Sequence, residues 1–262
     1  MNVTRLIADF LRALFQSLWQ TPAGNPVENL SRVQIVNQLL QECGLRLIES
    51  DPKGNARPLT DAEIKILQET TLSLGPVWYA PFRSRPLNLW VDRNPGGGHY
   101  GNHWLRIGDP GKDPTVLYRI FIHEGTHASN EYRQWMYEQE WCTKPGLDWK
   151  RLGEAWMHPR QQGTVMQPGS WETLPVDSRD VSVAPGEDLA EMVRYFVHSV
   201  KNEREFLWPL DRNKPPMMLW DTSPTRFVFV RDVFLRLPSD HPWYKTLAPD
   251  QEMRARVNLG LG

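Results

Sequence analysis

The chain has 262 residues, 40% hydrophobic and 23% charged, which suits a globular protein with a sizeable core and excludes a disordered or fibrous one. A formal net charge of −1 leaves no electrostatic footprint for nucleic acid, and no nucleic-acid partner is expected. Two cysteines, Cys43 and Cys142, cannot build a disulfide framework, and they are read as buried thiols rather than metal ligands. The twelve tryptophans are scattered from Trp19 to Trp243 without a repeat, so they are read as core and anchoring side chains between Pro-punctuated loops.

Residues 3–19 place Val3, Leu6, Ile7, Phe10, Leu11, Leu14, Phe15 and Leu18 at helical spacing, which predicts an amphipathic helix. It is too short and too charged to span a bilayer, and Asp9 and Arg12 interrupt what would be the apolar region of a signal peptide. Docking on the protein body or on a second copy is the expected fate, with contact to a membrane surface as the alternative. No transmembrane segment is expected, and the location is read as cytoplasmic or exported by a non-classical route. The stretch at 21–26, rich in Pro and Gly, is a linker.

A second helix is predicted over 27–43, burying Leu30, Val33, Val36, Leu39 and Leu40 and stopping at Gly44, followed by a short strand from Leu45 to Glu49. Thr60 with Glu63 three residues on forms a capping box. It opens a helix to about Leu74 whose buried side is Ile64, Leu67, Thr71 and Leu74. Val77-Trp78-Tyr79 and Leu87–Val91 read as strands, Pro95–Gly98 as a flexible loop, and His103–Ile107 as a strand with one face covered. His99 and His103 are four apart, but Gly101 argues against a helix there, so neither is read as a ligand.

The next helix, from Asp113 or Pro114 to Trp135, carries His123-Glu124-Gly125-Thr126-His127. In an H-E-x-x-H segment both imidazoles lie on one helix face and reach one metal ion, while Glu124 stands over the same site. That set suits a hydrolytic zinc centre: two neutral nitrogen ligands, an open position for water, and a carboxylate to take the proton. The apolar approach through Val116, Leu117, Ile120, Phe121 and Ile122 predicts a largely buried helix, in which imidazoles need partners. Residues 136–184 read as irregular, with a helix around 147–157. A helix follows from Pro185 to about Val200, with an apolar stripe at Leu189, Val193, Phe196, Val197 and Val200. A helix or strand is expected over 225–237, then a soluble tail.

A zinc hydrolase needs a third protein ligand. Position 130 is Asn and position 133 is Arg, so the extended H-E-x-x-H-x-x-G-x-x-H pattern is absent. Glu187-Asp188-Leu189-Ala190-Glu191 is the strongest candidate, because Glu187 and Glu191 share a helix face and one can bind metal while the other supports it. Asp188, Glu191 and Asp180 remain alternatives to Glu187.

Together the H-E-G-T-H segment at 123–127 and the E-D-L-A-E segment at 187–191 resemble zincin metallopeptidases of the gluzincin type, whose third ligand is a glutamate. The stretch from Leu59 into the metal helix is also similar to a group of bacterial zinc peptidases with an H-E-x-T-H core; the likeness covers roughly residues 59–200. The resemblance implies an α+β, zincin-like fold: a small mixed sheet with an edge strand beside the H-E-x-x-H helix, and a mainly helical remainder. With the helix and linker pattern at the N-terminus, the chain is expected to divide into an amphipathic helix and linker over 1–26 and one zincin-like metallohydrolase domain over 27–262, with a helical part (27–75) and a metal-site part (76–262). The resemblance maps the zinc ligands to His123, His127 and Glu187, and it implies a peptide or protein substrate. Glu124 is then the general base, with Tyr195 and His198 as candidate oxyanion donors along the Glu187 face. If His103–Ile107 is the exposed edge strand, an extended peptide can add to it. The motif alone does not exclude hydrolysis of a non-peptide amide; a further alternative is a non-catalytic zincin-like binding or interaction protein, against which the intact Glu124 argues.

Overall fold

The computed structural model describes residues 30–50, 54–111, 113–134, 136–143, 150–152, 155–157, 185–203 and 218–262. The expected 3–19 helix, the 21–26 linker and Asp180 lie outside the described residues.

The first helix, α1 (Arg32–Gln41), opens with a capping box in which Ser31 and Gln34 satisfy each other's backbone N–H groups. It buries a narrow stripe, Ile35 and Leu39, and the backbone turns at Gly44 with φ +71°. Val33, expected inside, is 66% exposed, on the side of α1 turned away from the buried Ile35 and Leu39. Strand β1 is Leu45–Leu47 and β2 is Ala56–Arg57, the latter unforeseen beside the turn-rich segment before it. Helix α2 (Asp61–Leu74) starts at the Thr60–Glu63 capping box and buries Ile64, Leu67, Thr71 and Leu74, as the periodicity predicts.

Residues 77–79 are not a strand. Pro76–Tyr79 forms a helical turn, α3, which runs on as a 3₁₀ turn over Ala80–Arg83. Pro76 sits at the helix start, where its missing N–H costs nothing, and Trp78 and Phe82 are buried at helical spacing. Three residues of high β-propensity are too few to resist that packing.

Strands β3 (Leu87–Asp92), β4 (Gly98–Gly101) and β5 (Trp104–Ile107) complete a five-stranded mixed sheet. β1 pairs parallel with β3, and β2 extends the same edge of β3 in antiparallel register. β3 pairs parallel with β5, which pairs antiparallel with β4. Leu45, Leu87, Leu89, Val91, Leu105 and Ile107 are all buried. The expected edge strand is therefore corrected: β5 is interior and β4 is the edge, formed by part of the segment read as a loop. Asn102 (φ 49°) and His103 (φ 65°) both take left-handed backbone, the two-residue pattern that matches hairpin twist and folds β4 onto β5.

Helix α4 (Pro114–Tyr132) carries the H-E-x-x-H segment and stops short of Trp135. After it, α5 spans Met136–Thr143, and where a helix is expected around 147–157 the described residues form two antiparallel strands, β6 (Lys150–Leu152) and β7 (Ala155–Met157); residues 158–184 lie outside the described residues. Three-residue strands carry too little pattern to be told from a helical turn.

Helix α6 (Pro185–Val200) packs along α4, burying Leu189, Val193, Phe196 and Val197. Residues 219–234 are helical: α7 (Leu219–Thr222), α8 (Pro224–Val228) and a π-turn over Phe229–Phe234, where the Leu235 N–H donates to the Val230 carbonyl at 2.9 Å. The expected tail is instead a helix, α9 (Pro249–Leu259). The result is a mixed α+β fold with a small open sheet and a mainly helical remainder. Among the described residues no helix is long and apolar enough to cross a membrane.

Candidate metal centre

Asp113 caps α4, its Oδ1 accepting the Thr115 N–H at 2.9 Å, and Pro114 occupies the first helical position. Trp78 is fully buried under the helix. It lies against Gly125, where a Cβ would fall 2.5 Å from Trp78 Cζ2, so only glycine lets the helix settle this deeply. The opposite face of α4 then meets α6.

Across that contact the structure brings His123, His127 and Glu187 together. Glu187 Oε2 lies 3.0 Å from His123 Nε2, and Glu187 Oε1 lies 3.3 Å from His127 Nε2. The two Nε2 atoms are 3.2 Å apart, and all the potential ligand atoms fall within 4.8 Å of one another. Two ligands of a tetrahedral ion with bonds of about 2.0–2.1 Å stand about 3.3–3.4 Å apart. The donor spacing therefore fits a divalent cation, and the chemistry of the set, two imidazoles and one carboxylate, fits a borderline metal.

Glu191, one turn beyond Glu187, accepts from His123 Nδ1 at 3.1 Å. That bond fixes the ring orientation and directs Nε2 toward Glu187 and His127. Arg194 in turn clamps Glu191, with Nε 2.8 Å from Oε2 and Nη2 on Oε1. Burial opposes charge on Glu191, but hydrogen bonds from His123 and Arg194 pull its carboxyl down to about 2. Burial likewise opposes charge on His123, yet hydrogen bonds to Glu187 and Glu191 raise it to about 9.

Glu124 sits beside the triad with its carboxyl raised, chiefly by burial; the charges of His123 and His127 oppose the shift. Its position is set by the edge strand: a Cβ on Gly98 would lie 2.4 Å from Glu124 Cγ and 2.6 Å from Oε1. β4 thus passes directly over the Glu124 carboxylate.

The other candidates lie elsewhere. Asp188 points away from the triad and pairs with the fully buried Arg226 at 3.4 Å. His198 is fully buried eleven residues along α6, with Nδ1 2.8 Å from Glu203 and 3.4 Å from the Tyr118 hydroxyl. That places it about 16 Å of helix rise beyond Glu187. Tyr195 is buried, hydrogen-bonded to Arg194 with that guanidinium 4.9 Å above its ring. The structure therefore does not bring the two expected oxyanion donors to the triad: His198 sits with Glu203 and Tyr118, and Tyr195 packs on Arg194 behind Glu191. His99 is exposed on β4. Cys43 is buried and free, its thiol pushed up to about 12 by burial, an inert core residue.

Sequence reasoning missed Arg194, Gly98 and Trp78. Arg194 had a signal, since it follows Glu191 by three residues on the same face. For Gly98 and Trp78 no local pattern exists, because their roles are contacts with a distant helix.

Comparison with protein-family models, with curated proteins and with solved structures finds no match to this protein.

Proposed function

We propose that this protein is a zinc-dependent hydrolase, most simply a metallopeptidase of zincin-like design, in which His123, His127 and Glu187 hold the ion. The observation that carries this reading is the convergence of those three donors within 4.8 Å beside Glu124. When bound, zinc supplies Lewis acidity toward a carbonyl oxygen and makes a water molecule acidic near neutral pH.

The protein's own groups perform the remaining work. Glu124, with its carboxyl raised by burial, accepts a proton at its carboxylate and returns it to the leaving amine. Glu191 keeps His123 in the Nδ1–H tautomer, and Arg194 keeps Glu191 ionised and aimed. Gly98 brings the β4 backbone close to Glu124. The exposed edge for an extended peptide is accordingly β4, whose outer side lacks a neighbouring strand among the described residues.

Two measurements test this. Elemental analysis of the purified protein should give one zinc per protein molecule, with loss in His127→Ala. Glu124→Gln should keep the zinc and lose peptide hydrolysis by at least about 100-fold. A wild-type protein that binds no stoichiometric metal, or a Glu124→Gln variant that cleaves a peptide library at the parent rate, overturns the reading.

A further inference from the structure

A cleft of about 300 Å³ opens beside His123, toward the N-terminal end of α4. Val116, Arg119 and Ile120 of α4 form one wall, Glu191 and Arg194 of α6 form the other, and Gly98 with Glu124 closes the end at the triad. The cleft therefore has a candidate base at one end and two guanidiniums along it.

Within this space Glu191 is engaged on both oxygens by Arg194 and is also bonded to His123. Arg119 adds a second cation to the same cleft; burial and the neighbouring charge of Arg194 both weigh against that cation, while Glu191 favours it. An anion entering the cleft would face the Arg119 guanidinium beside Arg194, and a guanidinium is a planar fork suited to a carboxylate. Arg119 lies four residues before His123 on the same face of α4, about 6 Å of helix rise. An extended peptide covers that distance in about two residues.

We propose that this cleft is a carboxylate subsite, and that the substrates are peptides bearing a carboxylate one or two residues from the bond to be cleaved, gripped by Arg119 beside Arg194. The carboxylate is either the peptide's own C-terminus or an acidic side chain. This rests on the hydrolase reading for the words substrate and cleavage, but the anion site itself does not depend on turnover.

The test is calorimetric binding to the hydrolytically silent Glu124→Gln protein, dialysed against zinc. Three probes are titrated: acetyl-Ala-Ala-Phe-Ala-Ala as the free acid, the same peptide as its C-terminal amide, and the amide with Glu as its last residue. At least one carboxylate probe should bind about 10–100-fold more tightly than the neutral amide. The free acid leading assigns the site to a terminus; the Glu amide leading assigns it to a side chain. Arg119→Gln in the same background should reduce that preference to within twofold, without changing the neutral amide's affinity or the zinc content. Arg119→Lys should keep an intermediate preference, and circular dichroism checks that both variants fold. A carboxylate preference under twofold, a preference that survives Arg119→Gln, or no binding of any probe overturns the proposal. Failure of the wild type to cleave peptides would instead overturn the hydrolase reading and leave the binding result standing.

Discussion

Replacing Gly125 with alanine should destabilise the protein, although the same change in most helices stabilises it. Alanine is favoured over glycine in a helix interior by about 1 kcal/mol. Here the new Cβ would fall 2.5 Å from Trp78 Cζ2 and 2.7 Å from Cη2, where carbon atoms pack at about 3.5–4.0 Å. The indole has little freedom to yield. It is fully buried, edge-on to Phe82 and Phe121 with centroids 5.4 and 5.5 Å away, and its Nε1 lies 3.5 Å from Thr126 Oγ1. Overpacking costs about 1–3 kcal/mol, and an overlap of this depth belongs at the upper end, leaving a net loss of about 2 kcal/mol. For a protein of this size that lowers Tm by about 4–8 °C. Thermal unfolding with a chelator present, so that metal binding does not contribute, measures it directly. A Trp78→Leu background should remove much of the penalty, giving a coupling of about 1 kcal/mol or more. A Gly125→Ala protein that melts at or above the wild-type temperature would refute the wedge of Trp78 against the metal helix.

Glu191→Ala should weaken metal binding about 10–100-fold in chelator competition, through loss of the His123 tautomer, whereas Asp188→Asn should leave affinity within twofold; equal effects of the two would remove Glu191 from its positioning role. Gly98→Ala should slow hydrolysis about 100-fold by displacing Glu124, with metal content unchanged, and unaltered turnover would show that the carboxylate has room to move. Stability should also depend on pH through Arg57, which bridges Glu63 at 2.6 Å and Asp109 at 2.9 Å. Burial alone would raise the Glu63 carboxyl, but hydrogen bonds from Arg57 and the Thr60 N–H hold it below its ordinary value. Asp109 is held down first by the Gly111 N–H and then by Arg57. Both folded pKa values are depressed, so their stabilisation is full above roughly pH 5 and is lost as pH falls through the folded values. Arg57→Met should therefore be less stable than wild type at pH 7 and converge on it toward pH 2 in urea titrations. A stability gap independent of pH would contradict this.

Much of the candidate site was legible because its information is local. The four-residue spacing of His123 and His127 sets both imidazoles on one face wherever the helix goes, and Glu187 with Glu191 repeats the device on a second helix. The same spacing extended too far for Tyr195 and His198: a shared face alone does not keep residues two or three turns on within reach of one ion. The Thr60 and Asp113 helix starts were readable for a similar reason, since each cap is made by residues two or three apart.

By itself, then, the sequence determined the two helices, their chemical faces and the donor types available for a cation. Tertiary structure alone decided which carboxylate meets the imidazoles. Glu187 and His123 are 64 residues apart, and only the packing of α6 on α4 turns Glu187 and Glu191 toward His123 while turning Asp188 toward Arg226. It also decided that β4, not β5, is the edge above Glu124, and that Trp78 folds into a helical turn beneath Gly125. Each of these outcomes rests on a long-range contact whose free energy exceeds the local preference of a three- or four-residue segment, and such a contact leaves no period in the sequence to read.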